Sequence, residues 1–204
     1  VAPRFDKRNY RYFFLLESAN SSGVINNNSN DYINSSISSF YNFFKSKFSL
    51  NTNKYMMFGH SAGAQFTHRY MLLSNDKRIS NAVVANAGWY TFLNGADFPY
   101  GINNSPIDIT PSDIRWFMSN RSTLLIGGND ISLNDVNSSR GAINQGRTRL
   151  DRANNYFNVM IDIADKENIP LRWTYKVVDR VGHDYKKMTF QAAKILLQDV
   201  KSFD

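Results

Sequence analysis

The chain has no cysteine, which excludes disulfides, thiolate metal sites and cysteine nucleophiles, and leaves the redox compartment open. Only three histidines are present, without His-rich spacing, and this argues against a structural zinc. No uninterrupted apolar stretch is long enough to span a bilayer. Residues 1–20 carry charges where the apolar centre of a signal peptide would sit, so the chain reads as soluble, with no membrane partner and no stated localisation. Acidic residues are the scarcer charge, 17 against 24 Lys and Arg, for a net charge of +7. Clustered on one face, that excess would favour nucleic acid. It is spread over 4–11, 69–78, 140–152 and 186–201 and no nucleic-acid reading motif accompanies it, so the expectation is a solvated basic surface.

What is present is ordinary globular material: 204 residues, 42% hydrophobic and 20% charged, enough for one domain over 1–204 with a sizeable core. Val1-Ala2-Pro3 reads as the tail of a strand, since proline cannot continue a central ladder. Residues 19–30, rich in Asn and Ser, read as a long loop. Ile33, Ile37, Phe40, Phe44 and Phe48 recur at helical spacing and predict an amphipathic helix over 31–48. The apolar run Tyr55-Met56-Met57-Phe58 predicts a strand and 62–73 a helix. Ala82-Val83-Val84-Ala85 and Ser122-Thr123-Leu124-Leu125-Ile126 predict buried parallel strands. Residues 92–110 read as an irregular excursion, extended to 120 as a lid-like insertion by a short helix opened at Thr110-Pro111. Leu150, Ala153, Phe157, Met160, Ile161 and Ala164 mark a long helix. Leu171, Trp173, Tyr175 and Val177 alternate as a strand with one covered face. The last helix carries Met188, Ala192, Ile195, Leu196 and Phe203 on one side.

Strand and helix segments alternate throughout, which predicts an α/β fold, a mostly parallel sheet with helices on both faces, and a site built from loops after strand ends. Within that frame Gly59-His60-Ser61-Ala62-Gly63, set between strand and helix, reads as a nucleophile elbow. The glycines either side of Ser61 are expected to let strand and helix approach closely. The Ala62 N–H, at the positive end of the new helix, is the expected oxyanion donor. Asp130, after Gly127-Gly128-Asn129, and His183, after Val181-Gly182, follow two further strands in the order nucleophile, acid, histidine. A serine hydroxyl is a poor nucleophile, so an imidazole must take its proton and a carboxylate must fix that imidazole's tautomer. His183 is the expected base and Asp130 the acid, with Asp135 in reserve and Asp184 placed awkwardly by its adjacency. His60 and His68 read as packing or capping residues. Trp89, Tyr90 and Tyr100, on loops beyond strand ends, are the expected substrate-pocket lining.

These three motifs together resemble the α/β-hydrolase superfamily over essentially the whole chain. More narrowly, Gly63-Ala64-Gln65-Phe66-Thr67-His68-Arg69, Gly88-Trp89-Tyr90-Thr91 and the stretch from Gln145-Gly146-Arg147 to Arg152-Ala153 are similar to bacterial polyhydroxybutyrate depolymerase-like and feruloyl-esterase-like hydrolases. The resemblance implies hydrolysis of a small-molecule or polymeric ester through an acyl-serine, with no cofactor. It also implies about eight strands and a second oxyanion donor from a Gly-rich loop upstream of Val1. Only four or five strands can be counted, so the expectation is an N-terminally incomplete version of that fold, a fragment or a minimal form. The alternative from another class is a non-catalytic binding protein on the same fold.

Overall fold

The computed structural model describes residues 1–198. Phe203, expected on the apolar side of the last helix, and Lys201 lie outside the described residues. Four strands, β1 (Tyr55–His60), β2 (Ile79–Ala85), β3 (Ser122–Gly127) and β4 (Trp173–Val178), form one all-parallel sheet in the order β1-β2-β3-β4. Register runs straight across it: Phe58 lies opposite Val83, Val83 opposite Thr123, and Thr123 opposite Thr174. All strands therefore end at one side, and the loops that leave them are neighbours.

Parallel strands need crossovers, and helices supply them. α1 (Ser36–Lys47) precedes the sheet. α2 (Ala62–Leu73) joins β1 to β2, and α3 (Pro111–Ser119) joins β2 to β3. α4 (Arg140–Gln145) and α5 (Arg149–Glu167) lead from β3 to β4, and α6 (Tyr185–Leu197) follows β4. Two of these helices start on sequence-encoded capping boxes, Thr110 with Asp113 and Thr148 with Asp151. Side chains alternate across a strand, and β2 and β3 are apolar on both faces. Ala82, Val84, Leu124 and Ile126 join Phe66, Tyr70, Phe117, Met118, Tyr156 and Met160 in the larger core on one face. Val83, Ala85 and Leu125 meet Met188 and Ala192 of α6 on the other. The expected α/β architecture with both faces covered is the observed one.

Several local expectations are corrected. Residues 1–3 form no strand. The helix expected over 31–48 begins only at Ser36, after a short 3-10 helix at Ser29–Asp31, and none of its residues is fully buried. Phe40, Phe43 and Phe48 are exposed, so the apolar stripe exceeds what the sheet covers. α4, six residues long, was not anticipated, since so short a segment shows less than two turns of periodicity. Leu15 and Leu16 are both fully buried on a short 3-10 turn that carries no repeat to reveal it. The excursion after β2 is packed down through Phe92, Leu93 and Phe98, and α3 contributes Phe117 and Met118 to the core. Among the described residues no helix is long and apolar enough to cross a membrane.

The two glycines flanking Ser61 are not equivalent. A Cβ on Gly59 would lie 2.2 Å from the carbonyl oxygen of Gly63, whereas a Cβ on Gly63 meets nothing within 4 Å. Close approach of β1 and α2 therefore rests on Gly59 alone, which corrects the symmetric reading of the motif. Gly59→Ala is expected to lower the unfolding midpoint sharply or prevent folding. Gly63→Ala should fold and gain up to about 1 kcal/mol from helix propensity. Thermal unfolding of both variants checks the contrast.

Candidate active site

β1 ends at His60, and the chain turns at once into α2. Ser61, at that turn, has φ 56° and ψ −118°, a conformation that side chains other than glycine rarely adopt. It occupies the N-cap position of α2, where a serine hydroxyl ordinarily accepts from a helix amide, yet makes no such bond. Its Oγ faces His183 Nε2 at 3.0 Å instead. The backbone N–H of Ser61 donates to Ala85 O, tying the turn to the end of β2. Ala62 opens α2, so its N–H has no partner within the helix and lies at the helix's positive end.

His183 sits on the loop between β4 and α6, with its side chain 29% exposed, and its Nδ1 lies 2.8 Å from Asp130 Oδ2. An ionised carboxylate only accepts, so Nδ1 carries the hydrogen and Nε2 turns its lone pair to the Ser61 hydroxyl. Asp130, three residues beyond β3, has a side chain that is 0% exposed. Burial alone would raise its pKa. Hydrogen bonds from His183 and Asn86 and the charges of His183 and Arg149 outweigh that and hold the carboxyl below its ordinary value. The structure thus brings Ser61, His183 and Asp130 into one hydrogen-bonded line from three strand ends.

Other candidates stand elsewhere. Asp135 meets this cluster only through its backbone carbonyl, which accepts from Arg149 at 2.6 Å. Asp184 caps α6 by accepting from the backbone amides of Lys186 and Lys187. His68 is fully buried; its Nδ1 bonds Ala64 O and its Nε2 accepts from Thr91 N–H. The ring of His60 lies 4.7 Å from that of His183. Burial first, and the neighbouring His183 second, push His60 down to about 4. The expected pocket lining needs correction: Trp89 and Tyr90 are 3% and 0% exposed and belong to the core, Tyr90 stacked on Tyr156 at 4.5 Å. Burying two large apolar rings outweighs what their loop positions suggest. Tyr100 is half-buried against Trp89, with its hydroxyl on Ser139. A groove of about 690 Å³ along the free edge of β1, lined among others by Phe40, Phe44, Met57 and Phe66, reaches His60 and Gly63 beside the elbow. Among the described residues no group of His, Asp and Glu could hold a metal ion.

Two residues of the site escaped the sequence reading. Arg149 bonds Asp130 Oδ1 at 3.3 Å, and Asn86 bonds Asp130 Oδ2 at 2.6 Å. Arg149 had a signal: a cation in the first turn of a helix opposes the helix dipole and needs a local anion. Asn86 had only its place directly after β2.

No protein-family model matches the chain, and no curated protein matches it by sequence. Solved structures do match. LpqC, a poly(3-hydroxybutyrate) depolymerase from Bordetella parapertussis, superposes with a TM-score of 0.86 at 24% identity, over 98% of this chain and 70% of that one. Poly(aspartic acid) hydrolase-1 from Sphingomonas sp. KT-1 gives 0.85 at 25% identity, over 95% and 74%. The fold is that of the α/β hydrolases. Within this α/β-hydrolase fold the cluster of Ser61, His183 and Asp130 stands at the carboxyl ends of β1, β4 and β3.

A buried histidine held neutral costs stability once the unfolded chain can take up its proton. The folded pKa of His60 is lowered, so the unfolded state binds more protons and stability falls as pH drops from 6.5 towards about 4. His68 is shifted in the same direction. His60→Gln should flatten the decline of the unfolding midpoint across that window, which thermal unfolding at a series of pH values checks.

Proposed function

We propose that the protein is a serine hydrolase acting on carboxylic esters through an acyl-serine intermediate. The observation that carries the reading is the line from Ser61 Oγ to His183 Nε2 at 3.0 Å and from His183 Nδ1 to Asp130 at 2.8 Å. It fits the strained backbone that presents Ser61, whose hydroxyl makes no capping bond.

In this mechanism Ser61 Oγ attacks the ester carbonyl carbon while His183 Nε2 takes the hydroxyl proton. Asp130, ionised and buried, holds the Nδ1–H tautomer and stabilises the imidazolium. The Ala62 N–H donates to the oxyanion of the tetrahedral intermediate. His183 then passes its proton to the departing alcohol oxygen as the carbonyl re-forms, leaving the acyl group on Ser61. Water, deprotonated by the same imidazole, attacks the acyl carbon. Collapse of that second intermediate releases the acid and returns the proton to Ser61.

Two observations support a polymer as substrate. Two solved structures of similar fold are named for a polyester depolymerase and a poly(amino acid) hydrolase. His183 is partly exposed, which suits an extended chain crossing the site. The ester is the substrate proposed here; poly(aspartic acid) is the comparison that separates ester from amide hydrolysis.

Ser61→Ala should abolish hydrolysis of short-chain aryl esters and labelling by a fluorophosphonate while leaving the fold intact. Residual turnover within about tenfold of wild type would overturn the assignment, since loss of such a nucleophile costs roughly six powers of ten in a well-studied case. Absence of labelling in the wild type would favour a binding protein on this fold.

The acid can be tested separately. Asp130→Asn should lower turnover by about four powers of ten through the wrong imidazole tautomer, while Asp135→Asn changes little. Steady-state kinetics of the two variants distinguish the roles.

A further inference from the structure

We infer that Asn86 is a positioning residue for the reaction, coupling the acid to the loop that carries the histidine. The inference rests on the serine-hydrolase reading and goes beyond its three principal side chains. Asn86 is the first residue after β2, fully buried, with φ 50°. Asparagine is among the few side chains that tolerate this left-handed conformation. Its backbone N–H donates to Leu125 O of β3 at 3.0 Å, so its Cα is fixed between the two central strands.

From there the side-chain amide reaches both halves of the site. Nδ2 donates to Asp130 Oδ2 at 2.6 Å and to Gly182 O, the carbonyl directly before His183, at 3.3 Å. Both targets only accept, which fixes the amide's orientation and requires two N–H donors on one atom. A hydroxyl offers one donor and a carboxylate none. The oxygen that Asn86 holds is also the one that His183 Nδ1 meets. Asn86 therefore sets where the carboxylate stands, how far the histidine loop stands from it, and how much negative charge Oδ2 can lend to the ring. His183 needs that support because its loop is partly exposed.

The charged and titratable groups facing His183 are Asp130 behind it, Arg149 beyond Asp130, His60 on the elbow side and Asp184 next in the chain. None of these supplies two donors to Asp130 and the loop together. Asn86→Gly keeps the backbone conformation and deletes the amide. Asn86→Asp keeps the shape but sets a second carboxyl against Asp130, and the pair, too close for both to ionise, holds one shared proton and leaves Gly182 O without its donor.

The test compares wild type, Asn86→Gly and Asn86→Asp in the full protein, by rate of fluorophosphonate labelling, ester kinetics, and the downfield NMR resonance of the His183 Nδ1 proton. Thermal unfolding confirms that each is folded. Asn86→Gly should lose about 100-fold in kcat with KM nearly unchanged, as expected when a reacting group is displaced by about an ångström. The downfield resonance should broaden or disappear. Asn86→Asp should likewise lower kcat, because the second amide hydrogen to Gly182 O is gone and a proton shared with Asp130 leaves no more charge on Oδ2 than before. A folded Asn86→Gly with kcat within about threefold of wild type and the resonance intact would overturn the inference and leave the hydrolase reading standing. A wild type that does not label would overturn both.

Discussion

The structure turns on one buried negative charge. A carboxylate without solvent survives only where hydrogen bonds and opposite charge replace its water, and Asp130, with no exposed side-chain surface, is met on both oxygens. Its partners come from three directions: Asn86 from the end of β2, His183 from the loop after β4, and Arg149 from the first turn of α5. Satisfying the charge therefore draws three separate crossovers to one point. Arg149 also holds the carbonyl of Asp135, so it fastens the loop after β3 both near its start, at Asp130, and at its middle. Asp130 serves as an anchor of the fold and as a neighbour of the imidazole in the same geometry.

Behind that point lies a second polar layer, made by the segments that carry the narrower resemblance. Arg69 is fully buried; it donates through Nε to Thr91 Oγ1, through Nη1 to Phe14 O, and lies 4.1 Å from the Trp89 ring. Gln145 exchanges hydrogen bonds with both the N–H and the carbonyl of Tyr90. Arg152 donates to Gly88 O, Gly146 O and Asn137 O. These residues stitch α2, the loop after β2 and the start of α5 to one another. Their function is to hold irregular backbone whose polar groups no sheet or helix satisfies. Burial lowers Arg69 to about 9.

The sequence by itself determined the alternation of elements, because a buried parallel strand announces itself as a short apolar run and a crossover helix as a 3.6-residue repeat. It also determined which residues stand directly past strand ends, and so placed Ser61, Asp130 and His183 as candidates with Asp135 in reserve. Short or half-covered elements were not: α4 is less than two turns long, and the stripe on α1 outlines an apolar face without saying that the sheet leaves it exposed.

Only the tertiary structure decided what those loops touch. Trp89 and Tyr90 follow a strand end as Asp130 does, yet pack inward, because the covering face left room for their rings and none of the local pattern encodes that room. That Asp130 is buried and Asp135 exposed depended on an arginine 19 residues further on and an asparagine 44 residues back. Periodicity reports the period of an element and the side it covers. Pairing between side chains far apart in sequence depends on register across the sheet and on the room left once the core has closed, and these exist only in the assembled fold.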